Sequence, residues 1–149
     1  MPTVENAAST DQGLAAELRV AVMRLRRRLA VERHPDNELS LATMAVLGAL
    51  HRSGELSIGE LAAHERVRPP SMTRTVKCLE EAGYVSRRAH ETDGRQVLVT
   101  VTDAGRATLL ADRERRDVWL SDRLADLTPH ERQVLHEAAP ILDRLSQED

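Results

Sequence analysis

Apolar residues at Leu14, Leu18, Val22, Leu25 and Leu29 keep to one face at helical spacing, and Arg19, Arg26, Arg27 and Arg33 take the opposite face. This pattern predicts a long first helix. The run His34-Pro35-Asp36-Asn37 ends it, because proline restricts the residue before it and Asp and Asn favour turns. Ser40 is placed to cap a second helix, in which Leu41, Met44, Ala45, Val46, Leu47 and Leu50 are apolar on nearly every side, the pattern of a buried element, and Gly54 supplies its stop. Ser57-Ile58-Gly59-Glu60 reads as a capping box, serine and glutamate each satisfying a free backbone N–H, and opens a short helix to about Arg66. A fresh start follows at Arg68-Pro69-Pro70-Ser71, since a first helical turn has no intrahelical use for the N–H that proline lacks. Met72, Val76, Leu79 and Ala82 then recur at helical spacing up to Gly83, so two short helices meet at a tight turn around Val67.

Beyond Gly83 the period changes. Tyr84 to Arg88 and Gln96 to Val101 are rich in strand formers, with Val97, Val99 and Val101 alternating with Leu98 and Thr100. Asp93-Gly94 between them is a hairpin signal, so a two-stranded wing is expected. Thr102 then caps a long helix to about Asp126. Thr128-Pro129-His130-Glu131 is a second capping box, opening a last helix with Val134, Leu135, Ala138, Ile141, Leu142 and Leu145 on its apolar face and Pro140 as an expected kink. The expected fold class is mainly α: a winged helix-turn-helix with a two-stranded β-wing and long N- and C-terminal helices. It divides into a frayed N-terminus over 1–11, an N-terminal helix over 12–34, the winged unit over 40–101 and C-terminal helices over 102–149.

In that fold the second helix of the pair enters the major groove of DNA, and the hairpin reaches the backbone or the adjacent minor groove. With Met72, Val76 and Leu79 turned inward, Ser71, Thr73, Arg74, Thr75 and Lys77 fall on or near the outer face of the first two turns. Hydroxyls bond bases or phosphates, arginine grips guanine through two hydrogen bonds, and a helix start offers free N–H groups, a contribution the two prolines weaken.

Charge and composition sharpen this reading. The 149 residues suffice for one domain with its own core. A net charge of −3 argues against a nucleic-acid partner only until its distribution is considered, because basic residues crowd Arg19 to Arg33 and Arg66 to Arg95 while acids dominate the termini and Glu131 to Asp149. Aromatic residues make up 1% of the chain and Phe is absent, so the base stacking of single-strand and RNA readers has almost no side chains to use; double-stranded DNA is the expected partner. No apolar run nears the roughly 20 residues of a bilayer helix, the polar stretch Met1 to Asp11 lacks the pattern of a secretory signal, and the lone Cys78 suits a reducing compartment. A cytoplasmic protein without a membrane partner is expected. His34, His51, His64, His90, His130 and His136 lack metal-ligand spacing, and neither a phosphate loop nor a nucleophile elbow occurs. Glu80 and Glu81 point about 100° apart on a helix and form no acid-base pair, so neither enzyme chemistry nor a cofactor or metal is expected.

Four segments carry a more specific signal: Ser71-Met72-Thr73-Arg74, Leu79-Glu80-Glu81-Ala82-Gly83-Tyr84-Val85, Asp93-Gly94-Arg95 and Val101-Thr102-Asp103-Ala104-Gly105. Together, and over about Leu14 to Leu145, they resemble the MarR family of bacterial transcription factors. The resemblance implies that Arg95 reaches the minor groove or its phosphates, with Asp93 orienting it through a charge-assisted hydrogen bond, and that Arg87 and Arg88 add phosphate contacts. It also implies a homodimer in which the first helix and the last two are dimerisation helices, so that the operator is a pseudo-palindrome with half-sites roughly 34 Å apart. It further implies a repressor whose DNA affinity falls when a small aromatic or lipophilic effector settles between the dimerisation helices and the DNA-binding lobes. The pair Pro69-Pro70 departs from the small polar residues usual at that helix start, and no base contact is carried over to it. Trp119, Leu120, Leu124 and Leu127 suit either the dimer interface or a pocket. Two rival readings stay open: a protein-interaction module on the same fold, and a regulator switched by oxidation of Cys78, which sits away from the first helix where sensing thiols of the family usually lie.

Overall fold

Thr10, Ser40, Ser57, Thr102 and Thr128 each accept the backbone N–H three residues on, so every helix start with a hydroxyl cap is closed by it. The computed structural model describes residues 10–147. Its elements are α1 (Asp11–Ala30), α2 (Leu41–Ser53), β1 (Leu56–Ser57), α3 (Ile58–His64), α4 (Pro69–Glu81), β2 (Val85–Ala89), β3 (Val97–Val101), α5 (Asp103–Ala125) and α6 (Pro129–Ser146). Of the stretch expected to fray, 1–11, only Thr10 and Asp11 are described, and they are the N-cap and first residue of α1. The capping boxes at Ser57/Glu60 and Thr128/Glu131 are both formed. Gly83, at φ 83°, ends α4 in a Schellman motif: Tyr84 N–H donates to Leu79 O and Gly83 N–H to Glu80 O.

The core lies where α2, α3 and α4 meet the sheet. Leu47, Leu50, Leu61, Val76, Leu79 and Val99 are fully buried, with Met72, Val85 and Leu109 nearly so, each large aliphatic contributing about 2 kcal/mol of burial. Ala82 departs from the inward stripe of α4; it is the exposed C-cap.

Two local features go beyond the sequence reading. The sheet has a third strand, in the antiparallel order β1-β3-β2, because Leu56 and Ser57 pair with Val99 and Leu98 just before Ser57 turns to cap α3. Two residues carry no alternation, so that strand has no sequence signature. Asp93-Gly94 is not a two-residue hairpin turn: the strands are separated by residues 90–96, and Gly94 does not take the positive φ that such a turn needs. The chain reverses instead through a β-turn in which Gln96 N–H donates to Asp93 O at 3.0 Å. The last helix, α6, is continuous across Pro140 to Ser146.

Two anchors join the winged unit to the flanking helices. At the first, Thr102 N–H and hydroxyl donate to Tyr84 O (3.0 Å) and Gly83 O (2.6 Å), bringing the start of α5 so close that a Cβ on Gly105 would lie 2.1 Å from Tyr84 O. At the second, fully buried Asp112 of α5 accepts His34 N–H at 2.8 Å and the Asn37 amide at 2.7 Å, with Arg33 Nε 3.6 Å away. Arg116 Nε adds a bond to Leu29 O at 3.2 Å. Beyond these anchors α1 and α6 bury no residue at all, and Leu25 (45% exposed), Leu135 (47%) and Leu145 (69%) stand open on stripes that the sequence marks as apolar.

Candidate nucleic-acid interface

The turn between α3 and α4 is compact because Arg66 adopts a left-handed φ of 54° and Val67 N–H donates back to Ala62 O. That turn sets the start of α4, whose buried Met72, Val76 and Leu79 fix which residues face out. Thr73, Arg74 and Lys77 are exposed, and Ser71 and Thr75 are half-buried at the edge of the same face. The prolines at 69 and 70 supply no N–H, while Ser71 and Met72 N–H both turn back to Arg68 O. The helix end therefore presents no free N–H, and what it offers an anion is cationic side chains. Arg68 stands at this helix start, exposed and with no carboxylate partner among the described residues; the sequence reading passed over it, although an arginine immediately before a Pro-Pro helix start was visible.

The two threonines are partly committed. Thr73 hydroxyl donates to Pro69 O at 3.0 Å and Thr75 hydroxyl to Ser71 O at 3.1 Å. Their oxygens keep lone pairs, so in this rotamer each hydroxyl is left as an acceptor and not as a donor.

The wing separates its arginines sharply. Arg87 pairs with Val99 across the ladder and so shares its face, toward α4, where it grips Glu80 through two bonds of 3.0 and 2.8 Å. Arg88, one residue on, takes the other face and grips Glu55 at 2.8 and 2.6 Å. These guanidiniums hold the Glu80 and Glu55 carboxyls below the usual carboxylate range, mainly by hydrogen bonding, so the pairs persist at neutral pH and fail only as pH falls through that lowered range. Arg87 and Arg88 thus clamp the wing to α4 and to the start of β1. Arg95, by contrast, is exposed at the wing tip with no ion-pair partner among the described residues. Asp93 does not orient its guanidinium: Asp93 Oδ1 accepts the Arg95 backbone N–H at 3.2 Å and shapes the turn instead. Among the described residues, Arg68, Arg74, Lys77 and Arg95 of α4 and the wing are exposed and have no carboxylate partner, with exposed Cys78 next to Lys77 in the chain.

Between α1, α2, α5 and α6 lies a cavity of about 670 Å³ whose lining includes the apolar Leu29, Met44, Leu109 and Leu142 and the charged Arg26, Arg52, Arg113, Arg116 and Glu65. Trp119 is not part of its lining. The indole lies between Arg28 of α1 and Arg123, 4.6 and 5.3 Å from the ring centroid. Among the described residues no group of side chains could hold a metal ion, and no helix is long and apolar enough to cross a membrane.

Comparison with known proteins places the chain among helix-turn-helix regulators. The model of the MarR family matches residues 39–97, which run from just before α2 to the first residue of β3. An HTH-type transcriptional regulator of Mycobacterium bovis is 44% identical over 133 residues, covering 89% of this chain and 92% of the relative. An HTH-type transcriptional repressor of Mycobacterium tuberculosis is 40% identical over 98 residues, 64% of this chain and 69% of the repressor. Among solved structures, that of a transcriptional regulator from Pseudomonas aeruginosa superposes with a TM-score of 0.82 at 35% identity, covering 94% of this chain and 99% of the other.

Proposed function

Because the chain belongs to the MarR family of helix-turn-helix transcriptional regulators, we propose that it is a cytoplasmic repressor that binds a pseudo-palindromic operator as a homodimer and is released by a small ligand. MarR proteins are DNA-binding regulators rather than enzymes, typically dimeric, and some answer to small effectors. The observation that carries the DNA reading is the set of unpaired cations on one side of α4 and the wing, in a protein whose other wing arginines are neutralised. Arg74 and Lys77, with Ser71, Thr73 and Thr75, form the base-reading and phosphate-reading face; Arg95, on the turn held by Asp93, forms the wing contact; Arg87 and Arg88 contribute to phosphate binding only by exchanging their carboxylates. The units 12–34 and 102–149 act as dimerisation helices, because helices of 20 and 18 residues that bury nothing are not stable alone and expose apolar stripes that suit a second copy. Two-fold symmetry then sets the half-sites roughly 34 Å apart.

The cavity supports a ligand class as well. Its apolar lining suits an aromatic or lipophilic body, and four arginines to one glutamate in that lining favour a ligand that carries a negative charge. Such a ligand lowers DNA affinity to the extent that it prefers the arrangement of lobes that does not fit the operator.

Selection from a random duplex library, followed by affinity measurement at several salt concentrations, tests the reading. A recovered pseudo-palindrome bound by two chains supports it; no enrichment, with weak salt dependence, would leave a protein-interaction module. On the selected site Arg95→Ala is expected to weaken binding to all duplexes and to flatten the salt slope by about one unit, whereas Arg74→Ala costs roughly 1–3 kcal/mol at particular base pairs only. Glu80→Gln is expected to do the opposite of Arg95→Ala: with Arg87 released, every duplex binds more tightly and the salt slope steepens by about one unit. Unchanged salt dependence in Glu80→Gln would mean that Arg87 lies out of reach of the phosphates.

A further inference from the structure

The loop that carries Arg95 is closed by a histidine. His90, half-buried at the end of β2, turns its Nδ1 into the loop, where it accepts Thr92 N–H at 3.2 Å and Asp93 N–H at 3.1 Å, with the Thr92 hydroxyl 3.1 Å away. The backbone N–H of His90 donates to Gln96 O at 3.0 Å, so the residue spans the loop from one side to the other. Asp93 in turn accepts Arg95 N–H. One acceptor atom thus gathers the two amides that place Asp93, and Asp93 places Arg95.

We propose that His90 is the positioning residue of the wing, that it acts only as the neutral imidazole with its proton on Nε2, and that the wing's grip on DNA is therefore sensitive to acid. This rests on the reading of Arg95 as a DNA contact. An imidazolium carries a proton on both nitrogens, so Nδ1 turns from acceptor to donor: it can give its proton to the Thr92 hydroxyl oxygen, but the Thr92 and Asp93 N–H groups both lose their acceptor and the loop loosens. The charged groups around the ring are Glu55 ahead of β1, Arg88 on β2, and Glu91, Asp93 and Arg95 in the loop. Glu55 is held by Arg88 at 2.6 Å, and the same arginine lies 3.9 Å from Glu91. Both of these carboxylates are thus shared with Arg88, and Asp93 Oδ1 is engaged by the Arg95 N–H.

Asparagine separates this role from a generic structural one, because its amide oxygen hangs from Cγ as Nδ1 does, whereas the oxygen of glutamine lies one bond further out. The test uses the full chain, amide hydrogen exchange at Thr92 and Asp93, and affinity for a mixed-sequence duplex at low salt between pH 8 and 5.5. At pH 8, His90→Ala and His90→Gln are expected to bind about fivefold more weakly, the worth of one ordinary hydrogen bond, and to lose protection at both amides, while His90→Asn stays within about twofold of the wild type. On acidification the wild type is expected to lose about fivefold relative to His90→Asn. Amides equally protected in His90→Ala and wild type would overturn the proposal, as would an affinity ratio to His90→Asn that stays flat with pH. A wild type that gains on His90→Asn in acid would also overturn it, making His90 a phosphate contact instead. If the wild type binds no duplex at any pH, the DNA reading fails, and with it the acid-sensitive grip; the amide exchange then judges only the closing of the loop.

Discussion

Replacing Asp112 with alanine is expected to lower stability by about 3 kcal/mol, seen as a fall in Tm of roughly 10 °C at fixed protein concentration. The carboxylate is wholly buried and serves the His34 N–H, the Asn37 amide and the Arg33 guanidinium at once. Removing it strands two donors and a cation already short of partners, since Arg33 Nε has no hydrogen bond of its own and the side chain's remaining hold is on Leu39 O. Asp112→Asn should cost less, about 1–2 kcal/mol, because its oxygen replaces one acceptor while its NH2 meets a donor where the second acceptor stood. The functional consequence follows from place. Asp112 is the last buried residue along α5, and it ties the α1–α2 connection to the helix that leaves the winged unit. Its loss should therefore blur the angle between lobe and flanking helices, and the alanine variant should discriminate less between selected and random duplexes. A Tm within about 2 °C of wild type would show that the anchor is dispensable.

Gly105→Ala is expected to be as damaging, by about 3 kcal/mol. The added Cβ would sit 2.1 Å from Tyr84 O, 3.0 Å from Tyr84 C and 2.9 Å from Val101 Cγ2. Two of these are backbone atoms, and Tyr84 O is held by Thr102 N–H, so relief requires α5 to lift off the turn between α4 and β2. Gly48 in α2 is the matched control. A Cβ there meets only Arg52 Nη1 at 3.4 Å, the end of a flexible side chain. Gly48→Ala should thus stabilise the protein by up to about 1 kcal/mol, since alanine is the better helix former. Thermal unfolding of both variants checks the pair; equal effects in the two would remove the argument from close approach.

The two anchors also show where sequence reasoning stopped. Asp112 stands on the inward stripe of α5 with Gly105 and Leu109, at spacings of seven and three, so a carboxylate on a buried face was there to be noticed. Its partners, 75 and 78 residues away, were not. The same holds in the wing. Arg87 and Arg88 read as open cations, yet strand alternation sends them to opposite faces, each facing a glutamate from a distant part of the chain.

What the sequence determined by itself is the local order of the protein: helix starts from hydroxyl caps and capping boxes, the end of α4 from Gly83, the inward face of α4 from Met72, Val76 and Leu79, and the hairpin after it. These depend on interactions within a few residues, which spacing and side-chain chemistry state directly. Only the tertiary structure decided the third strand, the β-turn over 93–96 that closes the hairpin, the histidine that spans the wing loop, and which arginines have no carboxylate partner among the described residues. Each of those is a competition for partners: a charge is free, or an amide satisfied, according to what the folded chain brings within about 3 Å, and no local pattern records the outcome.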